Sequence, residues 1–139
     1  MFSYEQFHDG AFEGLLIEDK TVHVFVSTDR KEQFVLTTSA VAALTAKGIL
    51  AGNIILDIEM RATEELTLQD IRDVFEYDRS EDEVHAKNAL LKAQQSKLSL
   101  LAISPSYGGS CIVLAKSVDL VSREEWLRRY SAVQRNATV

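Results

Sequence analysis

The sequence predicts an α+β domain in which an antiparallel sheet of about six strands is covered on one face by two or three helices. Segments of alternating apolar and polar residues, which are typical of half-buried strands, are separated by short polar turns. Three other segments begin with a capping-box pattern and continue with an apolar stripe at helical spacing. Asn53–Arg61 alternates between an apolar and a polar face, so a sheet with helices on a single side accounts for both patterns.

The first half of the chain is predicted to be mostly strand. Three strands joined by polar turns are predicted at Ala11–Glu18, Thr21–Thr28 and Gln33–Thr38. Val22, Val24 and Val26 share one face of the second strand, because side chains alternate along a strand. Tight turns between neighbouring strands indicate an antiparallel meander.

The segment Ser39–Gly48 fits two interpretations. Ser39 can cap a short alanine-rich helix that Gly48 ends, or the segment can extend the third strand around a bend. We predict the helix. The following segment, Asn53–Arg61, is predicted to be a strand whose core face carries Ile54, Leu56, Ile58 and Met60.

The second half of the chain is predicted to contain three helices and two strands. The helices begin at capping boxes that start with Thr67, Ser80 and Ser122, and the second of them reaches about Lys97. The two strands are predicted at Leu98–Ser104 and Ser110–Val118. Residues Asn136–Val139 are expected to fray, as chain termini often do.

Length and composition indicate a single domain over residues 1–139. The chain has the size of one ordinary domain, and its one proline and six glycines leave no segment that resembles a flexible linker. The first residues lack the basic and apolar regions of a signal peptide. The single cysteine, Cys111, cannot form an internal disulfide. We therefore expect a cytoplasmic protein.

The charge of the chain is unevenly distributed. The net charge of −6 argues against nucleic acid or an anionic membrane as the main partner, since both require a basic surface. Residues 57–83 carry 11 acidic and 3 basic side chains. Acidic residues at helix N-termini account for part of this asymmetry. The rest is interpreted as a solvated acidic face, with a surface for a basic protein partner as the alternative.

A first candidate site is the sequence His8-Asp9-Gly10. Adjacent His and Asp side chains can bind a divalent metal, and only His23 and His85 are available as further imidazole ligands. An Asp-Gly pair before a strand is more simply a turn with a permissive glycine. We interpret this segment as a turn and keep His8 and Asp9 as metal candidates.

A second candidate is the pair Asp57 and Glu59. These carboxylates lie two residues apart, so they share a face of their predicted strand and could serve a metal ion or acid–base chemistry. Charged residues on the wet side of a sheet give the same pattern, and Arg61 continues the row. The solvated face is the preferred interpretation.

Other patterns give no catalytic residue and no cofactor. The serines around Tyr107-Gly108-Gly109 lack the Gly-x-Ser-x-Gly pattern of a nucleophile elbow, and Cys111 opens an apolar strand. No glycine-rich phosphate loop, paired-cysteine zinc site or HExxH sequence is present. His23 is predicted to be a packed or surface histidine, and Trp126 and Tyr130 are predicted to anchor the core.

Three short motifs occur together in a fixed order: His8-Asp9-Gly10, Gly52-Asn53-Ile54-Ile55 and Ser106-Tyr107-Gly108. This order resembles small uncharacterised bacterial α+β proteins, some of which are similar to the immunity proteins of contact-dependent toxin systems. The resemblance implies a bacterial cytosolic protein without assigned chemistry, and it carries over no functional residues. Physically, the three motifs share turn residues at the entrances of strands.

Two functional classes follow from these observations. The first is a non-catalytic binding or interaction protein, such as an acidic, immunity-type inhibitor of a basic partner. The alternative is a small metal-dependent enzyme or metal-binding domain that uses His8 and Asp9 or Asp57 and Glu59. A homodimer is also predicted if Ser110–Val118 is an exposed edge strand.

Overall fold

The alternating segments form antiparallel strands in the computed structural model, which describes residues 2–77, 79 and 82–137. In these residues the strands are β1 (Phe2–Ser3), β2 (Ala11–Glu18), β3 (Thr21–Ser27), β4 (Gln33–Lys47), β5 (Asn53–Arg61), β6 (Ser99–Tyr107) and β7 (Ser110–Ser122). The helices are α1 (Leu68–Phe75), α2 (Glu83–Gln95) and α3 (Arg123–Ala137), with 3-10 turns at Glu5–Phe7 and Thr63–Glu65.

Strands β2 to β7 close into a six-stranded antiparallel barrel. Their order is β2-β3-β4-β7-β6-β5, and β5 returns to pair with β2 at Ala11 and Phe12. The short strand β1 pairs with the far end of β5. The predicted open sheet with helices on one face is therefore wrong, although the strand and helix content is α+β-like.

The helix predicted at Ser39–Gly48 is also wrong, so the second half of a long barrel strand was not predicted. The segment extends β4 to fifteen residues, and its backbone pairs with β7 from Ser39–Ser117 to Lys47–Ser110. A long pairing partner far along the chain overrides the helix preference of a few alanines. A bulge near Ala42 bends the strand, and such bends allow long strands to coil into a closed barrel.

Bulges also change which side chains of β5 enter the core. The register of β5 against β6 shifts on both sides of Ile55. Ile55 and Ile58 are therefore both fully buried, whereas Ile54 and Leu56 are exposed. The predicted core face is correct for Ile58 but wrong for the first half of the strand, because a bulge inverts the alternation of side chains.

The barrel interior is filled by apolar side chains. The alternation predicted for the second strand is confirmed, since Val22, Val24 and Val26 all point into this core. A second apolar layer lies outside the barrel, where α1 and α2 cover the outer faces of β4, β6 and β7. Helix α3 packs elsewhere, against the outer face of β3 and β4. Helices thus cover two separate parts of the barrel wall.

The helix starts agree with two of the three predicted capping boxes. The Thr67 hydroxyl accepts a hydrogen bond from Asp70 N at 3.1 Å, and Ser122 Oγ accepts one from Glu125 N at 3.2 Å. Helix α2 begins at Glu83, and the predicted start at Ser80 lies outside the described residues. The predicted fraying concerns Thr138 and Val139, which also lie outside them, and Asn136 and Ala137, which belong to α3.

Among the described helices, none combines the length and apolar character that crossing a membrane requires. Strand β7 has a paired neighbour on both sides over Cys111–Ala115, with β4 on one side and β6 on the other. The free edge on which the homodimer prediction depends is therefore missing from this segment. The homodimer itself stays a prediction.

The three sequence motifs meet at the end of the barrel where β5 closes it. The backbones of Asp9 and Gly10 exchange hydrogen bonds with Ile55. Asn53 is buried, and its Oδ1 accepts hydrogen bonds from Gly109 N at 2.7 Å and Leu50 N at 2.8 Å. Its Nδ2 donates to the carbonyl oxygens of Leu50 and Phe12. One amide side chain therefore connects β2, β5 and the β6–β7 turn.

Two glycines allow this close approach. A Cβ at Gly10 would overlap the carbonyl oxygen of Ser27, and one at Gly109 would meet the backbone of Ile49 at 2.9 Å. Gly108 has a φ of +83°, a conformation that favours glycine. Gly10 and Gly108 of the motifs, and Gly109 next to them, are thus required by the close contacts at this end of the barrel.

We expect Asn53→Ala to lower the free energy of unfolding by about 3 kcal/mol, because buried backbone groups of Gly109 and Phe12 lose their hydrogen-bond partner. Urea denaturation measures this change. Asn88→Ala is the matched control: Asn88 is exposed on α2, where alanine has the better helix propensity. A loss below about 1 kcal/mol for Asn53→Ala would contradict the role assigned to this amide.

Candidate functional site

A cleft of about 510 Å³ lies between α3 and the outer wall of the barrel. Its volume falls within the range of small-molecule and side-chain binding sites. The β2–β3 hairpin, β4, β7 and α3 all contribute to its walls. The lining residues are Glu18, Asp19, Thr21, His23, Thr37, Asp119, Val121, Trp126, Arg129, Tyr130, Val133 and Gln134. We call this feature the aromatic cleft.

Strand alternation and helix periodicity bring the central residues of the aromatic cleft together. Because the valines of β3 point into the barrel, His23 and Phe25 point outward beneath α3. Trp126 and Tyr130 lie four residues apart, so they share the face of α3 that covers these two side chains.

The rings pack in specific geometries. Trp126 and Tyr130 are stacked, with centroids 4.8 Å apart and an interplanar angle of 19°. His23 meets both rings edge-on, at 5.3 Å from Trp126 and 5.9 Å from Tyr130. Phe25 contacts Trp126 edge-on at 5.1 Å. Such stacked and T-shaped pairs are favourable beyond the apolar area that they bury.

The indole of Trp126 determines the tautomer of His23. Trp126 Nε1 lies 3.0 Å from His23 Nδ1, and Thr37 Oγ1 lies 3.1 Å from the same nitrogen. An indole N–H can only donate, so His23 Nδ1 must accept. The neutral ring then carries its proton on Nε2, which faces Glu18 Oε1 at 3.9 Å.

Burial and charge act in opposite directions on His23, which is only 8% exposed. Burial lowers the pKa of His23, and the nearby Glu18 carboxylate partly offsets this effect. Protonation would also place a second N–H against the indole N–H of Trp126. His23 is therefore a neutral side chain in the folded protein at neutral pH.

Glu18 is a partly buried, uncompensated charge of the aromatic cleft. Its side chain is 38% exposed, yet Oε1 is buried and has no hydrogen-bond partner in the described part of the chain. The hydrogen bond from the Tyr130 hydroxyl to the Glu18 carboxylate raises the pKa of the tyrosine. The carboxylate is thus held in place by a neutral donor and lacks a cationic partner other than the neutral His23.

The aromatic cleft as a whole is anionic. Three carboxylates, of Glu18, Asp19 and Asp119, face one guanidinium, that of Arg129. Arg129 is already engaged, since its Nε donates to Glu125 Oε1 at 2.9 Å and its Nη1 lies 3.3 Å from Asp119 Oδ2. The charge of Arg129 is therefore shared between two acids and leaves Glu18 unpaired.

The structure brings together three of the four metal candidates. His8 donates from Nδ1 to the Leu56 carbonyl oxygen at 2.7 Å, and its Nε2 lies 3.6 Å from Asp9 Oδ2. Asp57 lies close enough to act electrostatically on His8, and its buried Oδ1 has no hydrogen-bond partner among the described residues. Glu59 lies elsewhere, 3.8 Å from the Arg61 guanidinium.

This arrangement falls short of a metal site. Among the residues that the structure describes, no group of three or more His, Cys, Asp or Glu side chains could hold a metal ion. Asp9 has a φ of +63°, which agrees with the predicted turn at His8-Asp9-Gly10. The metal-dependent function stays a prediction without a ligand set to support it.

Cys111, next to the β6–β7 turn, is buried. Cys111 lies in the barrel core, where burial raises the pKa of its thiol to about 12. Such a thiol carries almost no thiolate at neutral pH and is a poor nucleophile. The Ser106 hydroxyl lies 3.4 Å from the Ile54 carbonyl oxygen.

Most acidic side chains between residues 57 and 83 serve local structure. Asp70 accepts hydrogen bonds from Thr67 N and Arg61, and Glu65 accepts one from Ala62 N. The remaining described interactions are Glu59–Arg61, Gln69–Asp73, Lys47–Glu76 and Glu83–Lys87. Caps and ion pairs thus account for much of the acidity of the described part of this stretch, whereas Asp57 and, in the aromatic cleft, Glu18 each keep a buried carboxylate oxygen without a hydrogen-bond partner.

Sequence reasoning identified parts of the aromatic cleft without joining them. Trp126 and Tyr130 were predicted to anchor the core and His23 to be a packed or surface histidine, and the three rings pack against one another. Glu18 was missed because it lies at the end of a strand, where an acidic residue is unremarkable. In the sequence, the signal that could have located the cleft was the outward face shared by His23 and Phe25. The missing information was their contact with a helix 103 residues later.

We expect His23 to titrate below the ordinary histidine value of about 6.5 in NMR experiments. As the pH falls below about 6.5, His23 is protonated more readily in the unfolded chain than in the folded chain. This difference lowers the free energy of unfolding at acidic pH. Trp126→Phe keeps an aromatic ring but removes the N–H donor, so it should raise the pKa of His23. An unchanged pKa in this variant would contradict the assigned tautomer.

We expect the opposite behaviour for His8. Its hydrogen bond to the Leu56 carbonyl oxygen and the nearby Asp9 carboxylate raise the pKa of His8 above about 6.5. Its stabilising contribution is complete below about pH 6.5 and is lost as the pH rises through the folded-state value. The difference in stability between the wild type and His8→Gln should therefore shrink between acidic and alkaline pH. A difference that grows over this range would refute the assignment.

Comparison with known protein families, with curated proteins and with solved structures finds no match to this chain. The resemblance to toxin-immunity proteins therefore stays a prediction. The function has to be argued from the geometry and charge of the aromatic cleft.

Proposed function

We propose that this chain is a non-catalytic binding protein whose aromatic cleft accepts a cationic side chain of a basic protein partner. The observation that carries the proposal is the unpaired Glu18 carboxylate beside the stacked rings of Trp126 and Tyr130. A carboxylate next to aromatic rings attracts an organic cation in two ways. The carboxylate forms charge-assisted hydrogen bonds, and the ring faces attract the cation through their quadrupole.

The shape and charge of the aromatic cleft favour a cation over other ligands. The aromatic cleft has two more negative than positive side chains, so it would repel an anionic group. A neutral apolar group would leave Glu18 Oε1 buried without a partner. A lysine or arginine side chain combines a charged head with an apolar stem. Its stem fits beside Val121 and Val133, while its head reaches Glu18.

Binding is better supported than catalysis because His23 is not free to act as a base. The lone pair of His23 Nδ1 is occupied by the indole N–H of Trp126, so it cannot take the proton of the Thr37 hydroxyl. The other ring nitrogen carries a proton and faces a carboxylate. The side chain supports the geometry of the aromatic cleft instead.

The immunity-type version of this proposal concerns a bacterial, cytoplasmic protein that inhibits a basic toxin. In that version, a lysine or arginine of the toxin enters the aromatic cleft and the acidic surface around it steers the approach. Long-range steering of this kind increases the association rate and weakens as salt screens it.

Short peptides of arginine or lysine provide a direct test, because Trp126 is the only tryptophan in the chain and its fluorescence reports on the aromatic cleft. We expect both peptides to change this fluorescence in a saturable manner and a glutamate peptide of equal length to have no effect. Binding should weaken with salt. Glu18→Gln should weaken it about tenfold, which corresponds to about 1.4 kcal/mol for one lost charged contact.

Glu124→Gln is the matched control. Glu124 is exposed near the start of α3 and does not line the aromatic cleft, so this variant removes the same charge without changing the site. Equal affinities for Glu18→Gln and Glu124→Gln would mean that only net charge attracts the peptide. That outcome would contradict specific binding in the aromatic cleft.

A further inference from the structure

A second concave surface lies on another part of the barrel wall, between the C-terminal half of α2 and the bulged part of β4. Its volume is about 470 Å³. Lys20, Lys92 and Lys116 surround it, and no acidic residue lines it. We call this feature the lysine groove.

The three lysines come from separate parts of the chain. Lys20 belongs to the β2–β3 turn, Lys92 to α2 and Lys116 to β7. None of them forms an ion pair with a carboxylate among the residues that the structure describes. The groove therefore concentrates unpaired positive charge on a protein whose net charge is −6.

The floor of the lysine groove is apolar. Leu98 and Leu114 lie beneath it and are almost fully buried, and the partly buried side chains of Phe75 and Ala89 provide its open apolar surface. These side chains belong to the apolar layer between the barrel and helices α1 and α2. Apolar surface that remains open beside a packed layer is a ready binding surface for a hydrocarbon chain.

The bulge of β4 keeps the lysine groove open. Ala40 and Ala42, which line it, are exposed and have only a methyl side chain. Ala40 adopts a φ of +52°, a left-handed conformation that is unfavourable for residues other than glycine. Backbone strain of this kind persists only where the surrounding structure enforces it, and it is frequent at ligand-binding positions.

We infer that the lysine groove binds a single-chain amphiphilic anion, such as a fatty-acid carboxylate. The carboxylate head lies among the three ammonium groups, and the hydrocarbon chain covers Phe75 and Ala89. The lysines and the apolar floor together point to this class of ligand. Three lysines without an apolar floor would suit a hydrated ion, and an apolar floor without lysines would suit a neutral chain. This inference is independent of the proposal for the aromatic cleft.

The chemistry also excludes other ligands. Organic cations are repelled by the three lysines. Nucleic acid requires an extended basic surface that follows its phosphates, whereas the groove offers three charges on an acidic protein. An amphiphilic anion satisfies both the charge of the rim and the apolar character of the floor.

Three ligands with the same alkyl chain and different head groups test this inference: decanoate, decanol and decyltrimethylammonium, each below its micellar concentration. Calorimetry measures their affinity, and methyl NMR signals of Ala89 and Ala93, which line the groove, report where they bind. We expect decanoate to bind most tightly and to shift these signals. Its affinity should fall as the salt concentration rises, because salt screens exposed charges.

Variants of the rim and the floor complete the test. Lys92→Gln combined with Lys116→Gln should weaken decanoate binding about fivefold, as expected for two exposed charged contacts. Lys87→Gln is the matched control, since Lys87 lies on the same helix but pairs with Glu83 outside the groove. Ala42→Phe places a ring on an exposed lining position and should abolish binding.

Two results would overturn the inference. The first is an equal affinity for decanol and decanoate together with no effect of the lysine substitutions, which would leave an unspecific apolar surface. The second is unchanged decanoate binding in a folded Ala42→Phe protein, which would locate the ligand elsewhere. Circular dichroism and the Trp126 fluorescence, which reports on the separate aromatic cleft, establish that each variant is folded.

Discussion

Closure of the barrel by β5 is the constraint on which the remaining structure depends. This strand must pair with β2 on one side and β6 on the other, although these strands are separated by most of the chain. Asn53 makes this closure possible because its buried amide forms hydrogen bonds with backbone groups of three segments at once. The neighbouring glycines let those segments approach, so the closure consists of specific hydrogen bonds as well as apolar packing.

Closure determines where binding surfaces can arise. The interior of the barrel is filled by side chains, so the concave surfaces of the described residues lie on its outside, where helices cover the wall incompletely. The anionic aromatic cleft remains open beside α3, and the cationic lysine groove remains open beside α2. The β2–β3 turn contributes to both, with Asp19 on one side and Lys20 on the other. Two surfaces of opposite charge thus coexist on one small barrel.

Local patterns in the sequence were sufficient for most elements. Alternation predicted β2, β3 and β5, and capping boxes predicted α1 and α3. The closed barrel could not be predicted in this way, because alternation does not specify which strands become neighbours. The segment after Thr38 illustrates the limit, since its alanines favour a helix locally and become a strand only through pairing with β7. Bulges caused the other error, by inverting the faces of β5 around Ile55.

The aromatic cleft was accessible to sequence reasoning only in fragments. Ring residues at helical spacing and an outward-facing histidine were visible, but their contact depends on how α3 returns across β3. The charge pattern was also misleading, since many acidic side chains of the most acidic stretch are engaged in caps and ion pairs. Glu18, whose Oε1 is buried without a hydrogen-bond partner among the described residues, belongs to a segment of ordinary composition.

The order of the strands also determines how the chain can fold during synthesis. The first five strands emerge before β6 and β7, yet β4 and β5 both need those later strands as neighbours. Until residue 122 has left the ribosome, two strand edges with apolar inner faces stay open, and open edges invite pairing with other chains. Pairings between distant segments also slow folding. The nascent chain is therefore most vulnerable to aggregation late in its synthesis, and the pairing of β6 and β7 with β5 and β4 ends that interval.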